Sequence, residues 1–302
     1  MKALIFLAAV ALAACAGGPL DAPRPMGPSK IDRNAVIGDA ILPLTTWRPD
    51  GAPKAAILAL HGFGDYGPST FGDAAKFWSE RGFITYAYDQ RGFGRGATRG
   101  RWPGAEALIA DARDTVAAIR AAHPDIPLVI VGHSMGGGVA LAAIGEGAAA
   151  DGLILAAPAV WGGDQLAPPY RLAAWTGAAL FPEKRWTGEG IVRIQASDNI
   201  EMLRRLGRDR YYLGNPSSRE FMGLIRIMDR AIAAAPSVSV PALTLWGEKD
   251  QVLDRGPIDA AHGLLGGEKQ MIVYEEGWHL LFRDLQAETV WRDAADWIEG
   301  LT

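Results

Sequence analysis

Thiol chemistry is nearly absent: one cysteine, Cys15, stands in 302 residues, so no disulfide can form within the chain. Imidazole is scarce as well. The five histidines are His61, His123, His133, His262 and His279, few enough for each to be weighed as a base. Positive charge has no excess, 30 Lys and Arg against 34 Asp and Glu, which removes the cationic face that nucleic acid requires. No group of His, Cys, Asp and Glu has metal-ligand spacing. The glycines between Gly132 and Gly138 lack the spacing and the lysine of a phosphate loop. Neither a metal nor an organic cofactor is therefore expected, and no internal repeat is present. What the chain does have is apolar content, 49% of residues against 21% charged, enough at this length for a large buried core.

The apolar run Ala3–Ala14 is too short to span a bilayer as a helix. Preceded by Lys2 and ended by small residues, it has the form of a secretory signal. Its last residues, Leu12-Ala13-Ala14-Cys15, resemble the lipobox of bacterial lipoproteins. That resemblance implies removal of residues 1–14 and acylation of Cys15, which anchors the protein to a membrane of the bacterial cell envelope. Ala16 goes with sorting to the outer membrane. An ordinary signal peptide cut nearby would leave Cys15 incidental. Pro19, Pro23, Pro25 and Pro28 make residues 15–30 an extended tether, so the folded domain is expected over residues 31–302.

Beyond the tether, apolar runs of strand length alternate with helical patterns. Strands are expected at Ala40–Trp47, Ala55–Leu60, Ile84–Tyr88, Leu128–Val131, Leu153–Leu155, Ala242–Trp246 and Met271–Tyr274. Helices are expected at Phe71–Arg81, Ala105–Ala122, Val139–Gly145, Pro257–Leu264 and Leu285–Ile298. This alternation implies an α/β fold with a mostly parallel sheet covered on both faces. From about 159 to 235 the rhythm breaks into an irregular, mainly helical stretch. An insertion at that point lies over the carboxyl ends of the strands, where parallel sheets bind ligands.

The strongest motif is Gly132-His133-Ser134-Met135-Gly136, after a buried strand and before a helix. That context turns Gly-x-Ser-x-Gly into a nucleophile turn. Glycines flank the serine because a side chain there would crowd neighbouring backbone. The turn lifts the Ser134 hydroxyl clear of the sheet and aims a helix N-terminus at it, which favours a developing negative charge. His279, on the loop between the last strand and the last helix, is the best base. His133 adjoins Ser134 but should point away from it; capping or packing suits His123 and His262 better. Asp250 ends a strand and precedes His279, so the order Ser134, Asp250, His279 is the one usual for such a turn. Asp254 is the alternative acid, and Glu248 a weaker one. His61-Gly62-Phe63-Gly64 follows an early strand, so the Phe63 and Met135 N–H groups are the expected oxyanion donors.

These segments, with Asp89-Gln90-Arg91-Gly92-Phe93-Gly94, Gly247-Glu248-Lys249-Asp250 and His279-Leu280-Leu281, resemble the monoacylglycerol lipase and lysophospholipase branch of the α/β-hydrolases, a serine-aminopeptidase-like group. The resemblance spans nearly the whole domain in order. It implies an α/β-hydrolase fold, a helical cap after the sixth strand, a Ser134–Asp250–His279 triad, and hydrolysis of acyl esters through an acyl-enzyme. The Asp89–Gly94 segment is structural in that group. Relatives often carry a histidine near Phe93 and a serine near Gly96; this chain has neither. Trp161, Trp175 and Trp186 make the insertion aromatic, which suits a lipid-like substrate and a membrane edge, or equally the packing of the cap itself. Two further readings stay open: a peptidase or amidase on the same triad, and a non-catalytic lipid-binding lipoprotein.

Overall fold

Continuous apolar runs become strands buried on both faces. In the computed structural model, residues 30–31, 34–38, 40–162, 166–186 and 194–301 are described. Residues 1–29, with Cys15 and the prolines, lie outside them. In chain order the strands are β1 (Lys30–Ile31), β2 (Asn34–Ile37), β3 (Ala40–Trp47), β4 (Ala55–Leu60), β5 (Phe83–Tyr88), β6 (Leu128–His133), β7 (Gly152–Ala156), β8 (Ala242–Gly247) and β9 (Lys269–Tyr274). They form one sheet in the order β1-β2-β3-β5-β4-β6-β7-β8-β9. From β5 to β9 every pair is parallel; β1, β2 and β3 join antiparallel at one edge. Every residue of β4 to β8 is buried, which is why they read as mostly apolar runs.

The helices are α1 (Gly67–Glu80), α2 (Ala105–Ala122), α3 (Met135–Gly145), α4 (Pro168–Leu180), α5 (Ile200–Leu206), α6 (Ser218–Ala234), α7 (Arg255–Leu264) and α8 (Ala287–Glu299). α2 has the bounds its periodicity predicts. α1 begins earlier than expected, because Pro68 sits in its first turn, where a missing N–H costs nothing. α3 begins at Met135 and not at Val139, running straight through Gly136, Gly137 and Gly138. Those glycines are poor helix formers chosen for space: a β-carbon at Gly137 would lie 2.8 Å from Pro158 Cβ, and one at Gly138 2.7 Å from the Ala159 oxygen. α8 starts at Ala287; Leu285, the expected first residue, lies exposed in the preceding turn.

The insertion follows β7, the sixth strand when the two-residue β1 is left out of the count. It carries α4, α5 and α6. A reciprocal capping box between Ser217 and Glu220 starts α6, whose Ile227 and Ala231 join the main core. α6 therefore serves the helical layer against α3 as well as the cap. α4 packs through Ala174 onto Ile225 and Met228. α5 packs through Met202 and Leu206 onto Leu280, beside His279. Among the described residues no helix is long and apolar enough to cross a membrane.

Candidate active site

Ser134 is the hinge between β6 and α3. Its φ is 52° and ψ −117°, a left-handed conformation disfavoured for any residue with a β-carbon. The surroundings hold it there. Ser134 N–H donates to Ala156 C=O at 3.0 Å, and Ser134 C=O accepts from Ala159 N–H at 2.8 Å and Gly137 N–H at 2.9 Å. The flanking glycines permit the turn. A β-carbon at Gly136 would come within 2.0 Å of the Leu60 oxygen, and one at Gly132 within 2.5 Å of the Gly136 oxygen.

The loop after β4 lies against this turn. A β-carbon at Gly62 would stand 3.3 Å from Ser134 Cβ. His61 is fully buried and shapes the loop: its Nε2 accepts the Gln90 N–H at 2.8 Å, so its Nδ1 donates to the Gly62 oxygen at 2.8 Å. Burial, the largest influence, lowers the His61 pKa and keeps the ring neutral. Among the described residues, neither the Phe63 nor the Met135 N–H has an acceptor within the chain. Two main-chain donors, one on the serine turn and one on the loop packed against it, are thus left without an acceptor among the described residues.

His279 reaches Ser134 from the loop after β9. Its Nε2 is 3.1 Å from Ser134 Oγ, and its Nδ1 is 2.8 Å from Asp250 Oδ2. Asp250 is buried at the end of β8, and its other oxygen accepts the Val252 N–H at 2.7 Å and the Leu253 N–H at 3.0 Å. Asp254 instead stands at the residue before α7, with no side-chain bond to the helix, and Glu248 faces Arg255 at 3.9 Å. The structure thus brings Asp250 alone of these three acids to His279. The loops after β8 and β9 run back to back, since a β-carbon at Gly247 would lie 2.4 Å from the Gly277 carbonyl carbon. His123 meets the Tyr86 hydroxyl at 2.8 Å and His262 meets Thr244 at 3.0 Å, both away from Ser134.

Four residues have supporting roles that a reading of the sequence misses. His133 turns away from Ser134, as expected, yet its Nε2 donates to the His279 C=O at 2.9 Å. Burial, assisted by His279, pushes its pKa down to about 3, so it acts only as a neutral donor. Arg283 and Asp65 form a buried ion pair that ties the His279 loop to the loop after β4. Asp284 accepts the Trp278 N–H at 2.8 Å. These contacts join residues as many as 218 apart, and no local spacing announces them. In the cap, Trp161 packs against the cap's own core, while Trp175 and Trp186 are exposed together with Tyr170, Leu172 and Phe181.

This sheet, with a serine turn after β6 and an acid–histidine pair after β8 and β9, defines a serine hydrolase of the α/β-hydrolase fold. The chain belongs to the serine aminopeptidase, S33 family, which it matches over residues 51–286. It is 25% identical over 279 residues to a monoacylglycerol lipase of Mycolicibacterium smegmatis, covering 87% of this chain and 95% of that one. It is 24% identical over 265 residues to the monoglyceride lipase of Mus musculus, covering 83% and 84%. A crystal structure of a soluble variant of monoglyceride lipase from Saccharomyces cerevisiae superposes with a TM-score of 0.73 at 21% identity, over 94% of this chain and 98% of that one.

Proposed function

We propose that this protein hydrolyses monoacylglycerols or closely similar acyl esters, lysophospholipids among them, through an acyl-enzyme on Ser134. The observation that carries the reading is the unbroken hydrogen-bond chain from Ser134 through His279 to Asp250, in a chain similar over most of its length to monoacylglycerol lipases. Ser134 Oγ attacks the acyl carbonyl while His279 Nε2 takes its proton. Asp250 fixes the tautomer with Nδ1–H and stabilises the imidazolium that forms. The Phe63 and Met135 N–H groups receive the oxyanion, helped by the positive end of α3. His279 then protonates the departing alcohol. A water deprotonated by His279 attacks the ester on Ser134, the bond to Ser134 Oγ breaks to release the acid, and His279 returns its proton to Oγ. The exposed aromatic edge of the cap suits an approach to lipid.

In the cell this reading places the catalytic domain, residues 31–302, at the bacterial envelope, on the outer membrane. Before that sorting, residues 1–14 are removed and Cys15 is acylated; residues 15–30 then act as the tether. A second reading, amide hydrolysis, is favoured by the description of the S33 family. Parallel rates on monooleoylglycerol, a lysophosphatidylcholine and an aminoacyl anilide separate the two; the ester reading expects glyceride turnover to exceed anilide turnover. Ser134→Ala should lower kcat by at least about 10⁴-fold. Retained turnover would remove Ser134 from the mechanism, and a faster anilide would favour the second reading. Palmitate labelling of the wild type but not of Cys15→Ala is expected, and an unlabelled wild type overturns the anchor.

A further inference from the structure

Asp284 is a buried carboxyl outside the Ser134–His279–Asp250 chain, exposed to only 4%. One of its oxygens accepts the Ser197 hydroxyl at 2.6 Å, and the other accepts the Trp278 N–H at 2.8 Å. Trp278 is the residue before His279. Ser197 lies on the cap segment that leads into α5. Because Ser197 Oγ accepts the Asn199 N–H at 3.1 Å, its own proton is directed at Asp284. The same two segments are joined around this carboxyl. Leu280 N–H donates to Ala196 C=O at 3.0 Å, Asn199 Nδ2 to Arg283 C=O at 3.0 Å, and Leu285 N–H to the Asp198 carboxylate at 2.9 Å.

His279 is therefore held along its backbone from both sides. His133 fixes its carbonyl at 2.9 Å, and Asp284 fixes the N–H of the preceding residue. We propose that Asp284 is a positioning residue: it sets the aim of the His279 imidazole through Trp278 and couples that aim, through Ser197, to the seating of the cap. The proposal rests on His279 serving Ser134 as base. A cap that lifts away would draw Ser197 from Asp284 and loosen the His279 loop with it.

The ionisable neighbours agree with this role. Asp284 lines a surface groove of about 470 Å³ together with Asp73, Arg205, Asp209, Arg283 and Glu288, so solvent protons reach it. Burial, the largest influence, pushes its pKa up to about 6; the Ser197 and Trp278 bonds pull it down, Asp198 pushes it up and His279 pulls it down. Arg283 is engaged elsewhere, on Asp65 and Ser69. Above that pH both oxygens are free to accept, and below it one carries a proton.

The test uses the full chain in detergent and p-nitrophenyl acetate, whose acyl group is too short to need the cap. Sites are counted by fluorophosphonate titration, so kcat refers to folded protein. Asp284→Asn keeps the shape but replaces one acceptor with a donor. At pH 8 it should lower kcat by roughly 10–100-fold with KM within about threefold. Ser197→Ala should lower kcat in the same sense by a smaller factor, and Ser197→Thr should restore it. The double variant should fall no further than Asp284→Asn alone, because both act through one contact. If Asp284→Asn does not fold, the Ser197→Ala and Ser197→Thr pair decides. An unchanged kcat per titrated site in Asp284→Asn, or in Ser197→Ala, overturns the proposal. Ser134→Ala runs alongside. If it is dead while Asp284→Asn is normal, only this proposal fails; if it is active, the triad reading beneath it fails.

Discussion

Replacing Gly136 by alanine puts the geometry of the serine turn to its hardest test. A β-carbon there would lie 2.0 Å from the Leu60 oxygen and 2.6 Å from the His61 oxygen, whereas ordinary contact begins at 3.4 Å. Both obstacles are main chain at the end of β4, so no side chain can swing aside. The start of α3 and the loop after β4 would have to part by the difference, about 1.4 Å. That movement separates the Met135 N–H from the Phe63 N–H. Overfilling a packed site costs about 1–3 kcal/mol of stability. Misplacing a reacting group by about 1 Å costs on the order of 10²-fold in rate. The control is Gly72→Ala in α1, where an added β-carbon meets nothing within 4 Å. That change should stabilise the protein by about 0.5–1 kcal/mol through helix propensity alone. Urea unfolding followed by tryptophan fluorescence gives the first quantity, and kcat/KM on p-nitrophenyl acetate the second. A Gly136→Ala protein with the stability and rate of the wild type would refute the account of the turn.

Arg283→Ala strips the buried Asp65 carboxylate of its cation, which should cost about 3–5 kcal/mol in urea unfolding; a loss under about 1 kcal/mol contradicts the assigned burial. Stability should also depend on pH through Asp284, whose pKa burial raises from 3.8 to about 6. Its neutral form is the one folding favours, so that contribution is complete below about pH 4 and is lost as the pH rises through 6. The unfolding free energy of Asp284→Asn relative to the wild type should therefore swing toward the variant by up to about 3 kcal/mol between pH 4 and pH 8. A difference independent of pH would show that Asp284 ionises normally.

The sheet was legible because strands buried on both faces are mostly apolar, with few polar residues such as Thr85 and Thr244 among them. β4 appears in the sequence with the bounds it has in the structure, and α2 ends where His123-Pro124 must end it. The start of α3 was hidden because its glycines answer to backbone crowding, which composition does not display. The first turn of α1 was hidden because Gly67-Pro68-Ser69-Thr70 has the composition of a loop. Ser134, Asp250 and His279 could be found because each stands at the end of a parallel strand, in chain order. Order and placement in the sequence put Asp250 ahead of Asp254 and Glu248, and the coordinates bring Asp250 to His279. His133, Arg283 and Asp284 gave no signal, because their partners are set by where loops from separate strands converge.

That convergence is where the precision of the site resides. β4, β6, β8 and β9 each deliver one loop to the same end of the sheet. Each of those loops has bonds of its own, such as Val252 and Leu253 N–H to Asp250, but each is also fixed by its neighbours. The loop after β4 is spaced from the serine turn by the bare backbone of Gly136, and from the His279 loop by Asp65 and Arg283. The serine turn reaches the His279 loop through the imidazole of His133. The Asp250 loop rests on the His279 loop where Gly247 meets Gly277. The His279 loop takes part in three of these contacts and adds a fourth, to the cap, at Asp284 and Ser197. It is thus the element through which disturbance of any other loop reaches the proton-transfer step. Its loosening should lower kcat before it lowers the stability of the sheet, because β4, β6 and β8, which carry the other three loops, are buried along their whole length.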